Sequence, residues 1–182
     1  GWVEHNPNDF LNTSIQASQL ALKKENLDWQ DIHSLAIANQ GETSMAWSSD
    51  HQKILAPAIS WEDRRTQDIC KLLAKKNVDK LVSEKTGVVL DPYFSASKFN
   101  WLLHNCEDVK VTYKKGDLRL GGTDTYVIDR LTQGEIFATD RGTASRTSLL
   151  NIRTTKWDDD LLQAFNIERK LIPKINKTID NF

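Results

Sequence analysis

Residues 34–49 read SLAIANQGETSMAWSS: an apolar run at 35–38, an abrupt polar corner at 39–42, and a second apolar run through Met45, Ala46 and Trp47. Short apolar runs bounded by turn-forming residues predict strands. SLAIANQ (34–40) and TSMAWSS (43–49) are therefore two expected strands, separated or bent at Gln40–Glu42. A polar corner at a strand end is where sheets flanked by helices hold ligands, which draws attention to Gln40, Gly41 and Glu42.

Outward from this corner, helical and extended patterns alternate. Asn6-Pro7 reads as a cap and first helical residue, and Phe10, Leu11, Ile15, Leu20 and Leu22 continue one apolar stripe, so a helix is expected from Pro7 to about Asn26. A helical turn follows near Asp28–Ile32, HQK (51–53) turns the chain, and ILAPAISW (54–61) is extended, with Pro57 keeping it out of a sheet interior. Helical spacing returns over Arg65–Lys76 and over Val78–Lys85, the latter stopped by Gly87. Asp91-Pro92 makes a turn, Ser95 a cap, and Phe99, Leu102, Leu103 and Cys106 one helical face. LRLGGTDTYVIDRLTQGE (118–135) gives a strand, a Gly-Gly break and a helix ended at Gly134; SRTSLLNI (145–152) is another strand, and WDDDLLQAFNIERKLIP (157–173) two short helices. Strands mixed with helices predict an α/β or α+β domain.

Composition narrows the partners. A chain of 182 residues buries roughly 70% of its unfolded surface and supports one domain with a real core. Lys plus Arg (24) nearly equals Asp plus Glu (25), so no charge excess points to nucleic acid or an anionic membrane. No apolar run approaches the roughly 18 residues of a membrane span, and no signal segment opens the chain. Cys70 and Cys106 fall in helical patterns, where reduced thiols are expected, and the location expected is cytoplasmic. The chain opens on Gly1 without a methionine, the expectation for an excised piece.

Several chemistries find little support. His5, His33, His51 and His104 lack metal-ligand spacing, Ser145 lacks the glycine flanks of a nucleophile elbow, and Asp158, Asp159 and Asp160 suit a helix start better than a cation loop. Neither GxxxxGK[ST] nor GxGxxG occurs, and RLGGTD (119–124) is only a weak anion turn. A polar and aromatic set at breaks in regular structure remains: Gln40, Gly41 and Glu42; Trp61, Arg64 and Arg65; Asp91 and Tyr93. Ring planes offer apolar faces to C–H groups and a carboxylate accepts hydrogen bonds from hydroxyls, a pairing that suits a polyol or sugar. The competing reading makes Trp61 and Tyr93 core aromatics and Glu42 an ion-pair partner of Arg64 or Arg65.

GWVEHNP (1–7), NQGETSMAW (39–47), SWEDRRT (60–66), TGVVLDPYFSASKFNWLL (86–103), GGTDTYVIDRLTQG (121–134) and TDRGTASRTSLLNI (139–152) occur in this order. Together they resemble the N-terminal domain of the FGGY carbohydrate kinases, most closely the glycerol kinases among them, over essentially the whole chain. The most specific part is Tyr-x-Ser-x-x-Lys-x-x-Trp at 93–101; His104 departs from the usual choices there.

The resemblance implies an actin-like, ribonuclease-H-like fold with two domains about a cleft, and ATP- and magnesium-dependent phosphorylation of a hydroxyl. It assigns the polyol to an Arg-Glu pair, a Trp and a Tyr, which here become Gly41 in place of the arginine, Glu42, Trp61 and Tyr93. Loss of the arginine's bulk and charge implies a substrate larger than glycerol, such as a longer polyol or open-chain sugar; the other reading is a glycine that only serves the turn. The phosphate hairpin is expected before residue 1, and the catalytic aspartate and ATP domain after residue 182. Residues 1–182 are thus expected to be an incomplete, inactive piece with no catalytic, cofactor or metal residue of its own, its unpaired sheet edge open to self-association. A ketose or sugar-acid kinase of another branch, xylulokinase- or gluconokinase-like, and a non-catalytic sugar-binding piece are the alternatives.

Overall fold

A computed structural model describes residues 1–50 and 53–179. In chain order the elements are β1 (Glu4–His5), α1 (Pro7–Lys24), a 3₁₀ turn (Trp29–Asp31), β2 (Met45–Ser48), β3 (Ala58–Ile59), α2 (Gln67–Ala74), α3 (Val78–Thr86), α4 (Ser95–Asn105) and α5 (Glu107–Lys115). They continue with β4 (Leu118–Gly121), α6 (Thr123–Leu131), β5 (Ala138–Asp140), α7 (Arg141–Ser145), β6 (Leu150–Asn151), β7 (Lys156–Trp157), α8 (Asp159–Ala164), a 3₁₀ turn (Arg169–Leu171) and β8 (Lys174–Asn176). The mixed α/β class stands.

Local chemistry accounts for most of the boundaries. The Asn6 side chain accepts from the Asn8 amide at 3.2 Å with Pro7 as first helical residue, and Gly87 (φ 72°) ends α3 in the left-handed conformation that costs glycine nothing. The Asp158 side chain caps α8 by accepting from the Asp160 and Leu161 amides. Two starts differ from expectation. The cap of α4 is Phe94, and Ser95 is already helical, its hydroxyl turned to the Glu42 carbonyl at 3.3 Å. Cys106 lies between α4 and α5 as the end of one and the start of the other.

Strands pair two at a time: β1 with β3, β2 with β4 and β6 with β7 antiparallel, β5 with β8 parallel. SLAIANQ forms no ladder among the described residues; Leu35 is 61% exposed and Ile37 38%. An apolar run becomes a strand only when another strand satisfies its amides and carbonyls, and none of those described lies beside it. SRTSLLNI is likewise mostly not strand: Ser145 closes α7 and only Leu150 and Asn151 pair. The expected turn at HQK rests on His51 and Gln52, which lie outside the described residues.

The alternation of β2 divides the interior. Met45 and Trp47 join Ala58 and Tyr126 in one cluster, while Ala46 enters the larger core of Ile59, Val82, Phe99, Leu102, Leu120 and Leu161. Trp47 is fully buried, donates from Nε1 to Asp129 at 3.0 Å, and meets Tyr126 edge-on at 5.4 Å. On the facing strand β4, Gly121 pairs with Met45, and a Cβ at 121 would stand 2.9 Å from the Trp47 ring and from Thr125. Gly121→Ala should therefore destabilise the protein by about 1–3 kcal/mol through overpacking, read as a lower urea midpoint; an unchanged midpoint would show that Trp47 moves aside freely.

Candidate functional site

The corner at residues 40–43 is a tight turn. The Thr43 amide donates to the Gln40 carbonyl at 3.2 Å, and the Thr43 hydroxyl donates to the Gln40 side chain at 2.9 Å. Gly41 is not one of the glycines with positive φ, which are Gly87, Gly116 and Gly134, so the backbone there does not require glycine. The restriction is lateral: a Cβ at 41 would lie 3.2 Å from Cγ and 3.4 Å from Cβ of Arg146. The side of the turn next to Gly41 is thus occupied by the Arg146 stem.

Arg146 follows α7 and reaches across to the corner. Its Nε donates to Glu42 Oε1 at 2.6 Å, and its guanidinium carbon stands 5.7 Å from the Tyr93 ring centroid and 5.1 Å from that of Phe94. Tyr93 in turn meets Trp61 edge-on at 5.7 Å. The structure therefore brings Gly41, Glu42, Trp61 and Tyr93 onto one surface, with Glu42 nearly buried and Trp61 39% exposed. Burial works against the Arg146 charge, but the Glu42 carboxylate and the Tyr93 phenol hold its pKa above the ordinary arginine value.

The competing ion-pair reading is not what the structure shows. Arg64 holds Asp91 with both terminal nitrogens, at 2.8 and 3.4 Å, while Arg65 bonds Asp63 and Glu4, each at 2.7 Å. The partner of Glu42 is Arg146, 104 residues away. Nothing local in the sequence singles out Arg146; only contact in the fold connects it to the corner.

Two loops of this surface are tied together from beneath. Lys98, fully buried on α4, donates from Nζ to the carbonyls of Tyr93 at 2.5 Å and Glu42 at 3.2 Å. The Ala96 amide donates to the Thr147 carbonyl at 2.8 Å, joining the start of α4 to the segment that carries Arg146. Asp91 accepts from the Tyr93 amide at 2.8 Å, fixing the approach to that ring.

Other candidates fall elsewhere. At the RLGGTD turn, Asp124 Oδ1 would lie 2.8 Å from a Cβ at Gly122, so a carboxyl side chain fills the space an anion would need. Asp158 and Asp160 are held by Lys85. Among the described residues no three His, Cys, Asp or Glu side chains gather as metal ligands. Cys70 and Cys106 are free thiols, and burial pushes Cys70 up to about 11. No described helix is long and apolar enough to cross a membrane.

The corner thus presents a carboxylate with an aromatic pair on the same surface of a mixed α/β frame. The chain belongs to the FGGY family of carbohydrate kinases, whose N-terminal domain matches residues 1–182. It is 41% identical to the glycerol kinase of Rhizobium meliloti over 182 residues, all of this chain and 37% of that protein. It is 42% identical to the glycerol kinase of Shewanella frigidimarina, over 96% of this chain and 35% of that one. Among solved structures it resembles the Plasmodium falciparum glycerol kinase with ADP, with a TM-score of 0.85 and 32% identity over 96% of this chain and 35% of that one. The gluconate kinase of Lactobacillus acidophilus shares the fold, with a TM-score of 0.76 at 24% identity. The chain therefore spans little more than a third of the relatives it matches.

Burial lowers the Lys98 ammonium to about 8, against the pull of Asp63, Glu42 and Asp91. Since the ordinary value is 10.5, the unfolded chain holds this proton more tightly than the folded one. The resulting stability contribution is complete above about pH 10.5 and is lost as pH falls toward about 8. Relative to Lys98→Met, the protein should gain on the order of 1–3 kcal/mol between those limits in urea unfolding; a difference that stays flat across that range would contradict the buried charge.

Proposed function

We propose that this chain forms the substrate wall of an ATP-dependent kinase that phosphorylates a hydroxyl of a polyol or open-chain sugar larger than glycerol. The observation that carries the reading is the Glu42 carboxylate beside the Trp61–Tyr93 ring pair. A hydroxyl of the substrate donates to Glu42, while its C–H face lies against the rings, where water is excluded and the apolar contact fixes orientation. Gly41 adds neither side chain nor charge to this wall, and the Arg146 stem lies against it. Family membership supports the class of reaction, and the glycerol kinase relatives support a polyol.

The described residues do not fit magnesium-bound ATP. A hard cation needs converging oxygen ligands, and the Gly-Gly turn presents Asp124 where a phosphate would sit. In this reading the nucleotide, the metal and the base that takes the hydroxyl proton belong to parts of the protein outside residues 1–182, and this chain binds and orients the acceptor. Phosphoryl transfer depends on such positioning joined to charge stabilisation of the phosphates, so residues 1–182 alone are inactive.

ADP release by the full-length protein, measured with glycerol, longer polyols, ketoses and sugar acids, tests this reading. It predicts turnover with a longer polyol or open-chain sugar above that with glycerol, and Gly41→Arg should shift the ratio toward glycerol by about tenfold, one charge-assisted contact's worth. Turnover by residues 1–182 alone, a sugar acid as the preferred substrate, or a profile that Gly41→Arg leaves unchanged would each contradict part of it.

A further inference from the structure

We propose that Arg146 is the hydrogen-bond donor of the polyol pocket and a specificity-determining residue of it. This rests on the polyol reading above and deepens it. The stem of Arg146 fills the space at Gly41, with Cγ 3.2 Å from where a Cβ would stand. Any larger residue at 41 would push against that stem, so the glycine and the arginine form one arrangement. The guanidinium then arrives at the carboxylate that the turn presents, with Nε on Glu42 Oε1 at 2.6 Å.

The remaining donors decide what this pair can do. A guanidinium carries five N–H groups in a planar fork and accepts nothing, whereas a carboxylate accepts and donates nothing. The bond to Glu42 uses the Nε–H, the Tyr93 phenol takes a share of the remaining donors, and the other terminal N–H groups lie beside the Tyr93 and Phe94 rings on a side chain that is 40% exposed. A hydroxyl both donates and accepts, so one hydroxyl, or two neighbouring ones, is read by Glu42 and Arg146 together. Neighbouring cations do not compete for this role: Lys98 is sealed beneath the site on two carbonyls, and both terminal nitrogens of Arg64 are on Asp91. With the diol held at this end, the Trp61–Tyr93 pair lies along the carbon chain and sets the length that fits.

Steady-state kinetics of the full-length protein, with glycerol, erythritol and xylitol as probes, test the assignment, using Arg146→Gln and Arg146→Lys. Loss of a charge-assisted hydrogen bond should raise the polyol KM by about 10–100-fold in Arg146→Gln while the ATP KM stays within about twofold. Lysine should not restore it, because a point charge cannot serve Glu42 and a hydroxyl at once. A polyol KM unchanged in Arg146→Gln overturns the assignment. So does a ligand-free Tm that falls while both KM values and kcat change together, which is the mark of a purely structural role. If the unsubstituted full-length protein shows no polyol-dependent ADP release, the failure lies with the polyol reading itself.

Discussion

A single buried ammonium holds the candidate site in shape. Lys98 rises from α4 into the interior and donates to the carbonyls of Tyr93 and Glu42, residues of two loops that the Ser95 hydroxyl and Arg146 also join. Burying an ammonium costs several kcal/mol unless it is well bonded. Here two charge-assisted bonds and the field of Asp63, Glu42 and Asp91 offset part of that cost, and burial still lowers the ammonium to about 8. The bonds go to backbone oxygens, so Lys98 leaves the side chains of Glu42 and Tyr93 to Arg146. A hydrophobe at 98 would fill the volume but leave the Tyr93 carbonyl without this donor, at about 1–3 kcal/mol.

The third loop of the surface has its own anchor. Asp63, two residues past Trp61, accepts from the Val3 amide at 2.6 Å and from Arg65. Arg65 in turn lies between the rings of Trp2, 4.0 Å from its guanidinium carbon, and Trp101, at 4.7 Å. These bonds hold the carboxyl of Asp63 below its ordinary value although burial opposes them. The first residues of the chain, the loop after β3 and helix α4 are thereby fastened at one point. Trp61, 39% exposed, stands two residues before this anchor.

Much of this was legible from local patterns. The helices with clear caps or stops, α1, α3 and α8, fall where Asn6-Pro7, Gly87 and Asp158 place them, because capping is decided within a few residues. What sequence could not reveal depends on distant partners. SLAIANQ has the composition of a strand but no ladder among the described residues, and a strand exists only as one of a pair. The aromatic and acidic positions at 42, 61 and 93 were visible as residues at breaks in structure, and the fold gathers them. Arg146 was not, since only the packing of α7 against the corner shows that it fills the space at Gly41. The glycine's purpose was half legible: its missing side chain was evident, but the neighbour that takes up the space was not.

The most direct test of the central claim is a crystal structure of the full-length protein with xylitol bound. A xylitol hydroxyl should lie within about 3.2 Å of the Glu42 carboxylate, with the carbon chain against the Trp61 and Tyr93 rings. Xylitol bound elsewhere, with Glu42 still engaged only by Arg146 and the two rings bare, would contradict it.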